Sequence, residues 1–319
     1  MVMLALDAYP PFAQANGSSS DLKHAASMAK TTTAPQLWLA RVNMYRAMEE
    51  LPPVADDLQT SEGARNHAKY LAINFGERVR DGSALANNMH TEAASRKYFT
   101  RTGLEAAPHC EVDFEIGDHQ SEEEAVDLWI EGPLHRMLLL NPNLERMGYG
   151  YYCEKSVCVQ AVNVIDGVSE KPFDADKQVA IEFPPANSTL SLYDLPNETP
   201  SPLTSCSGYT YPVGLPITFQ IGFYVGARLS GFAIVRKDQP SSPIEACGYD
   251  AYSYRNEARD QMGRVIGGLK AFSGVVVIPR HPLQPGAYHA SITVNNNDYG
   301  WSFSIAPHEN RPADIEPIR

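Results

Sequence analysis

A chain of 319 residues exceeds the size at which one core usually keeps growing, so two domains are expected. Hydrophobic residues at 43% and charged residues at 20% exclude a disordered or fibrous protein. A formal charge of −12, with no lysine or arginine run to offset it locally, excludes nucleic acid as a partner.

No apolar stretch reaches the roughly 18 to 20 residues that a bilayer-spanning helix needs, so no transmembrane segment is expected. The short apolar run Val2 to Ala5 and the small-residue string Phe12-Ala13-Gln14-Ala15 resemble an export leader, although Asp7 and two prolines interrupt it and no basic residues precede it. Residues 1–33, with Gly17-Ser18-Ser19-Ser20 and Thr31-Thr32-Thr33, therefore read as a leader or flexible arm.

Structure is expected from Pro35 onward. Trp38, Val42, Tyr45 and Met48 recur every three or four residues between Gln36 and Leu51, which describes one face of a helix ended by Pro52-Pro53. Ala64, His67, Ala68, Leu71 and Phe75 give a second helix, with His67 packing or capping inside it. His109 and His119 flank the acidic residues Asp113, Glu115, Asp118 and Glu122 to Glu124, a pattern that reads as a solvated loop leading into a helix start. Ser121 and Glu124 have the spacing of a capping box, opening a third helix that carries Val126, Trp129 and Ile130 and stops at Pro133. Trp129 is expected in the core. Met147 to Tyr152 and Val157 to Val164 are rich in aromatic and β-branched residues, as strands are.

Residues 169–187 hold few apolar clusters and read as a linker between a first domain at 34–168 and a second at 188–306, with a tail at 307–319. In the second domain helices are expected to disappear. Ile217, Phe219, Ile221 and Phe223 alternate with Thr218, Gln220 and Gly222, the period of a strand with one buried face. Tyr288 to Val294 and Tyr299 to Ile305 alternate likewise about Asn295-Asn296-Asn297-Asp298, which predicts a hairpin within an all-β sandwich.

The five cysteines suggest two pairs and a remainder. Cys153 and Cys158 flank a four-residue turn, Cys206 and Cys247 would tie together the second half, and Cys110 is left alone; buried reduced thiols are the alternative for the whole set.

Three segments together resemble the CAP superfamily of cysteine-rich secretory, antigen 5 and pathogenesis-related proteins. Val42-Asn43-Met44-Tyr45-Arg46 with Leu51-Pro52-Pro53-Val54 is similar to the family's opening helix and turn, and His90 follows. Ala125 to Arg136 then resembles the bacterial element AVxxWxxSPxHR, with Gly132 at the serine position, and leads into Asn141-Pro142 and Met147-Gly148-Tyr149-Gly150. The second half resembles, less specifically, an immunoglobulin-like module through Pro279 to Tyr288. The resemblance implies an α+β chain: an α-β-α sandwich with a cleft, followed by the all-β sandwich.

In many members of that family two histidines and two glutamates hold a divalent metal, commonly zinc. The histidines map onto His90 and His135. Glu111 is the preferred carboxylate, with Glu92 and Glu105 competing, because the family's GEN triplet is absent. The second glutamate would fall on Gly132, one place after Glu131. Tyr98 and Tyr149 could border a groove for apolar lipids. The resemblance thus implies a secreted or cell-envelope binding module whose partner is an extracellular protein, a cell-wall component or a lipid. A metal-dependent hydrolase and a lipid carrier are the alternatives. No HExxH, GxSxG or phosphate-cradling glycine loop supports another enzyme class.

Overall fold

The computed structural model describes residues 2–3, 36–80, 89–117, 120–169 and 180–307. Most of the segment read as a leader, part of the linker and nearly all of the tail lie outside the described residues, as does His119. No helix among the described residues is long and apolar enough to cross a membrane.

After β1 (Val2–Met3), α1 spans Leu37–Met48 and buries Trp38, Val42 and Tyr45 on one face. Met48 is exposed instead of buried, and Arg46 takes the inward place. Its guanidinium donates to the carbonyls of Pro52 (2.9 Å), Leu139 (2.8 Å), Asn141 (3.0 Å) and Leu144 (3.2 Å). Asn43 pins the following turn by donating to the Val54 carbonyl at 2.9 Å and accepting from the Val54 amide at 2.8 Å. The first family-like string is therefore a folding device, in which buried Arg46 and half-buried Asn43 satisfy a turn that has no ladder of its own.

Next come β2 (Ala55–Asp56), α2 (Leu58–Arg80), α3 (Arg101–Ala106) and β3 (Cys110–Ile116). Asp113 and Glu115 are buried on β3, which corrects their reading as part of a solvated loop. The alternation of a strand puts them with Glu111 on one face and Val112 and Phe114 on the other. Ser121 caps α4 (Glu122–Glu131) through the expected reciprocal box, accepting from the Glu124 amide at 3.1 Å while the Glu124 carboxylate accepts from the Ser121 amide at 2.8 Å. Pro133 ends α4 but also opens α5 (Pro133–Leu139), because its fixed φ and missing donor suit a first helical position.

β4 (Arg146–Glu154) and β5 (Val157–Asn163) form a hairpin closed by the Cys153–Cys158 disulfide. The five-stranded sheet has the order β1-β3-β5-β4-β2. On one face α2 packs through Ala64, Ala68, Leu71 and Phe75 against Val112, Phe114, Val159 and Ala161. On the other, Trp38 stacks on Tyr149 at 5.3 Å, and α1 and α4 bury Val126, Trp129 and Val162. Gly148 and Gly150 let α2 lie directly on β4: a Cβ at Gly150 would stand 2.1 Å from the Arg65 nitrogen, and one at Gly148 would stand 2.4 Å from the Ser61 nitrogen.

The C-terminal region contains β6 (Ile181–Phe183), β7 (Thr189–Leu190), β8 (Asp194–Leu195), β9 (Val213–Gly214), β10 (Ile217–Gln220), β11 (Leu229–Arg236) and β12 (Ala246–Asp250). It continues through α6 (Arg259–Ala271), β13 (Gly274–Pro279), β14 (Gly286–Val294) and β15 (Asn297–Ile305). Two four-stranded sheets, β12-β13-β10-β6 and β11-β14-β15-β7, meet where Phe219 packs on Tyr299 (4.4 Å) and Trp301 (5.8 Å). Cys206 and Cys247 are bridged, and Cys110 is a buried free thiol. The terminal hairpin turns on Asn295 and Asn296 alone, both with positive φ, so the turn has two residues rather than four.

Three expectations for this half need correction. Helices do not disappear, because α6 is present. Its three glycines and its modest apolar face (Val265, Leu269) hide it from a periodicity reading. Ile181–Phe183, inside the segment read as a linker, is a strand paired with β10. Finally β10 ends at Gln220 and is buried on both faces, not one, since Phe219 faces the second sheet while Thr218 faces α5. One apolar cluster consequently runs from Trp38 and Trp129 in the first half to Val276 and Phe303 in the second.

Candidate functional site

The sharp Gly132-Pro133 junction throws His135 and Arg136 off α5 toward the C-terminal region, and both are completely buried. His135 Nε2 lies 3.2 Å from Glu111 Oε2 on β3. Its Nδ1 lies 2.6 Å from Glu198 Oε1, in the loop after β8. The same Glu198 oxygen accepts from the Leu134 amide at 3.1 Å and, weakly, from the His135 amide at 3.4 Å. Glu198 thus holds Nδ1 in a hydrogen bond, whereas Nε2 and Glu111 stand only at ion-pair distance, a pairing that carries charge when the ring is protonated.

Arg136 bridges the same seam. It donates to the carbonyls of Ile130 (2.6 Å) and Glu131 (3.1 Å) on its own side and to the Pro216 carbonyl (2.8 Å) and Thr218 Oγ1 (3.1 Å) across it. The Phe183 ring lies 3.8 Å beneath its guanidinium. Burial lowers its pKa to about 9, against the raising fields of Glu198, Glu49 and Glu131.

His90 is also buried. Burial pushes its pKa down to about 3, and the positive fields of His67, Arg264 and His135 act the same way, so this ring is neutral over the whole physiological range. Arg264 belongs to α6, so the charge of the C-terminal region is felt at this histidine. The other predicted residues are dispersed. Glu92 is tied to His67 Nδ1 at 3.1 Å and to the Thr100 amide at 3.2 Å, while His67 Nε2 meets the Met89 carbonyl at 2.8 Å; these contacts fix the segment that carries His90. Glu105 pairs with Arg101 on the exposed surface of α3. Tyr98 is 53% exposed in a left-handed conformation, with Lys69 Nζ 4.4 Å above its ring. Glu131 is fully buried at the end of α4. His109 pairs with Asp166 at 2.7 Å.

Among the described residues, no group of three or more His, Cys, Asp or Glu side chains is arranged to hold a metal ion. Zinc needs at least three converging protein donors. His135 and Glu111 converge at 3.2 Å, with Glu198 at the ring's second nitrogen where an orienting carboxylate would stand, but no third donor joins them among the described residues. Two donors fall short of the set that zinc needs.

The model of the cysteine-rich secretory protein (CAP) family matches residues 39–163. This segment is a CAP domain. No curated protein matches the chain. Among solved structures, an extracellular protein containing an SCP domain from Bacillus anthracis strain Ames is 20% identical, with a TM-score of 0.27. That match covers 40% of this chain and 39% of the other, so this chain spans well under two thirds of its length. An outer surface protein from Borrelia burgdorferi is 15% identical, with a TM-score of 0.26, over 40% of this chain and 87% of its own.

The residue that closes the CAP domain's histidine site and that the sequence did not single out is Glu198. Glu198 sits in Pro196-Asn197-Glu198-Thr199-Pro200, a string that reads only as a loop, and 63 residues separate it from His135. A local signal existed only on the CAP side, where glycine stands at the serine position. A Cβ at Gly132 would lie 2.7 Å from Glu198 Oε1 and 3.0 Å from His135 Nδ1.

The same seam gives a pH signature. Glu49, at the end of α1, is raised to about 8, first by burial and then by Glu182. Folded Glu49 thus keeps its proton over the interval in which the unfolded chain, titrating near 4.5, has lost it. Its contribution to stability is fully present below about pH 4.5 and is lost as pH rises toward 8, at up to about 1.4 kcal/mol per pH unit. Glu49→Gln is expected to remove this loss, so urea-unfolding curves of variant and wild type should diverge in the variant's favour between pH 5 and 8. Parallel curves would show that Glu49 ionises normally.

Proposed function

We propose that the chain is an extracellular, non-catalytic binding module in which the CAP domain and the β-rich region act as one rigid body. The observation that carries this reading is the complete burial of His135 between Glu111 and Glu198, which removes the ring from the water that general-base work needs. His90 is neutral but buried. Two disulfides suit an oxidising compartment, in keeping with an extracellular or cell-envelope setting. An extracellular protein or a cell-wall component is the partner class this reading favours. A lipid groove at Tyr98 is not favoured, because that ring is exposed under Lys69.

Isothermal titration of the intact protein with zinc, together with peptide and ester pools assayed with and without chelator, tests the reading. Neither stoichiometric zinc uptake nor chelator-sensitive turnover is expected. Turnover that His90→Ala and His135→Ala each abolish would replace this reading with a metal-dependent hydrolase.

A further inference from the structure

The C-terminal region does more than lie beside the CAP domain. Glu198 carries one carboxylate oxygen into the space between Gly132 and His135, where three donors converge on it: the Leu134 amide, the His135 amide and His135 Nδ1. Room for that oxygen exists because residue 132 has no side chain. The Glu198 backbone is tethered in turn, its carbonyl accepting from Tyr211 Oη at 3.4 Å, and the strand pair β8–β9 lies on either side of this loop. Beside it, Arg136 and Met137 of α5 reach Thr218 on β10 and Gly274 on β13.

We propose that Glu198 is an intramolecular plug. It withdraws His135 of the CAP domain from solvent and fixes its ring orientation, so that the histidine becomes reachable only when the loop after β8 lifts away. Gly132 is the matching socket, and a side chain there excludes the plug. This rests on the closed site described under the proposed function but makes a separate claim, because a protein with no catalytic activity could be sealed by the seam as a whole rather than by this one carboxylate.

The test is acylation of histidines in the intact, folded protein by diethyl pyrocarbonate, read site by site by mass spectrometry. Exposed His281 serves as the fast reference, and His67, buried against Glu92, reports general opening. In the wild type His135 is expected to react at under a tenth of the His281 rate. Glu198→Ala and Gly132→Ala are each expected to raise the His135 rate at least tenfold relative to His281 while His67 stays slow. Should Glu198→Ala loosen the fold, Gly132→Ala gives the deciding reading, since it displaces the carboxylate while leaving Glu198 itself unchanged: His135 gaining reactivity ahead of His67 supports the plug. No gain at His135 in either variant, or a gain matched by His67 in both, overturns it. Discovery of turnover or zinc binding would remove the proposed function and leave this comparison standing.

Discussion

Arg136→Ala is expected to lower stability by about 3–5 kcal/mol, the usual consequence of breaking a buried charge network from one side. The substitution strands two acceptors on the CAP side, at Ile130 and Glu131, and two on the far side, at Pro216 and Thr218. It also removes the cation that faces the buried carboxylates of Glu198, Glu49 and Glu131. Arg136→Lys keeps the charge but cannot reach four acceptors with one ammonium, so it should recover only part of the loss. Urea denaturation of the whole chain measures both variants. A loss under about 1 kcal/mol for the alanine variant would mean that the seam is held by apolar packing and that the guanidinium is incidental.

The second large effect is expected where the backbones of α2 and β4 touch. Gly150→Ala places a methyl carbon 2.1 Å from the Arg65 nitrogen and 2.3 Å from both the Ala64 carbonyl carbon and the Arg65 Cα, and none of these atoms belongs to a flexible side chain. The helix must move off the sheet, at a cost at or above the top of the usual overpacking range of about 1–3 kcal/mol. Gly263→Ala supplies the contrast. It lies within α6, and a Cβ there meets nothing within 4 Å, so it should gain about 0.5–1 kcal/mol from helix propensity. Thermal unfolding of the two variants should move in opposite directions, and a neutral Gly150→Ala would show that α2 rides higher on β4 than placed here.

What the sequence made legible were features that close over short spans. The Ser121–Glu124 box, the Trp38-Val42-Tyr45 face and the alternation from Tyr288 to Ile305 each depend on neighbours within a turn or across a tight hairpin, so their signals are local. The missed elements follow from the same limit. In α6, Gly263, Gly267 and Gly268 dilute the periodicity, and the short α5 begins at the very proline that signals the end of α4. Thr218 looks like a solvent-facing residue of a one-sided strand until an arginine 82 residues earlier is seen to bond it. The histidines and Glu111 followed from the family resemblance, whereas Glu198 did not: nothing in Pro196-Asn197-Glu198 says that its carboxylate ends on an imidazole.

The apolar cluster that continues from Trp129 to Phe303 bears on how such a chain can change. Beads on a string can be exchanged one at a time; here the joint is itself built of shared parts. A substitute for the C-terminal half would have to present an aromatic ring in the place of Phe183, acceptors in the places of Pro216 and Thr218, and an acid in the place of Glu198. The two halves are therefore bound to vary as partners, and a graft that copied only the outline of the sandwich would leave a cation and an imidazole stranded at an open seam.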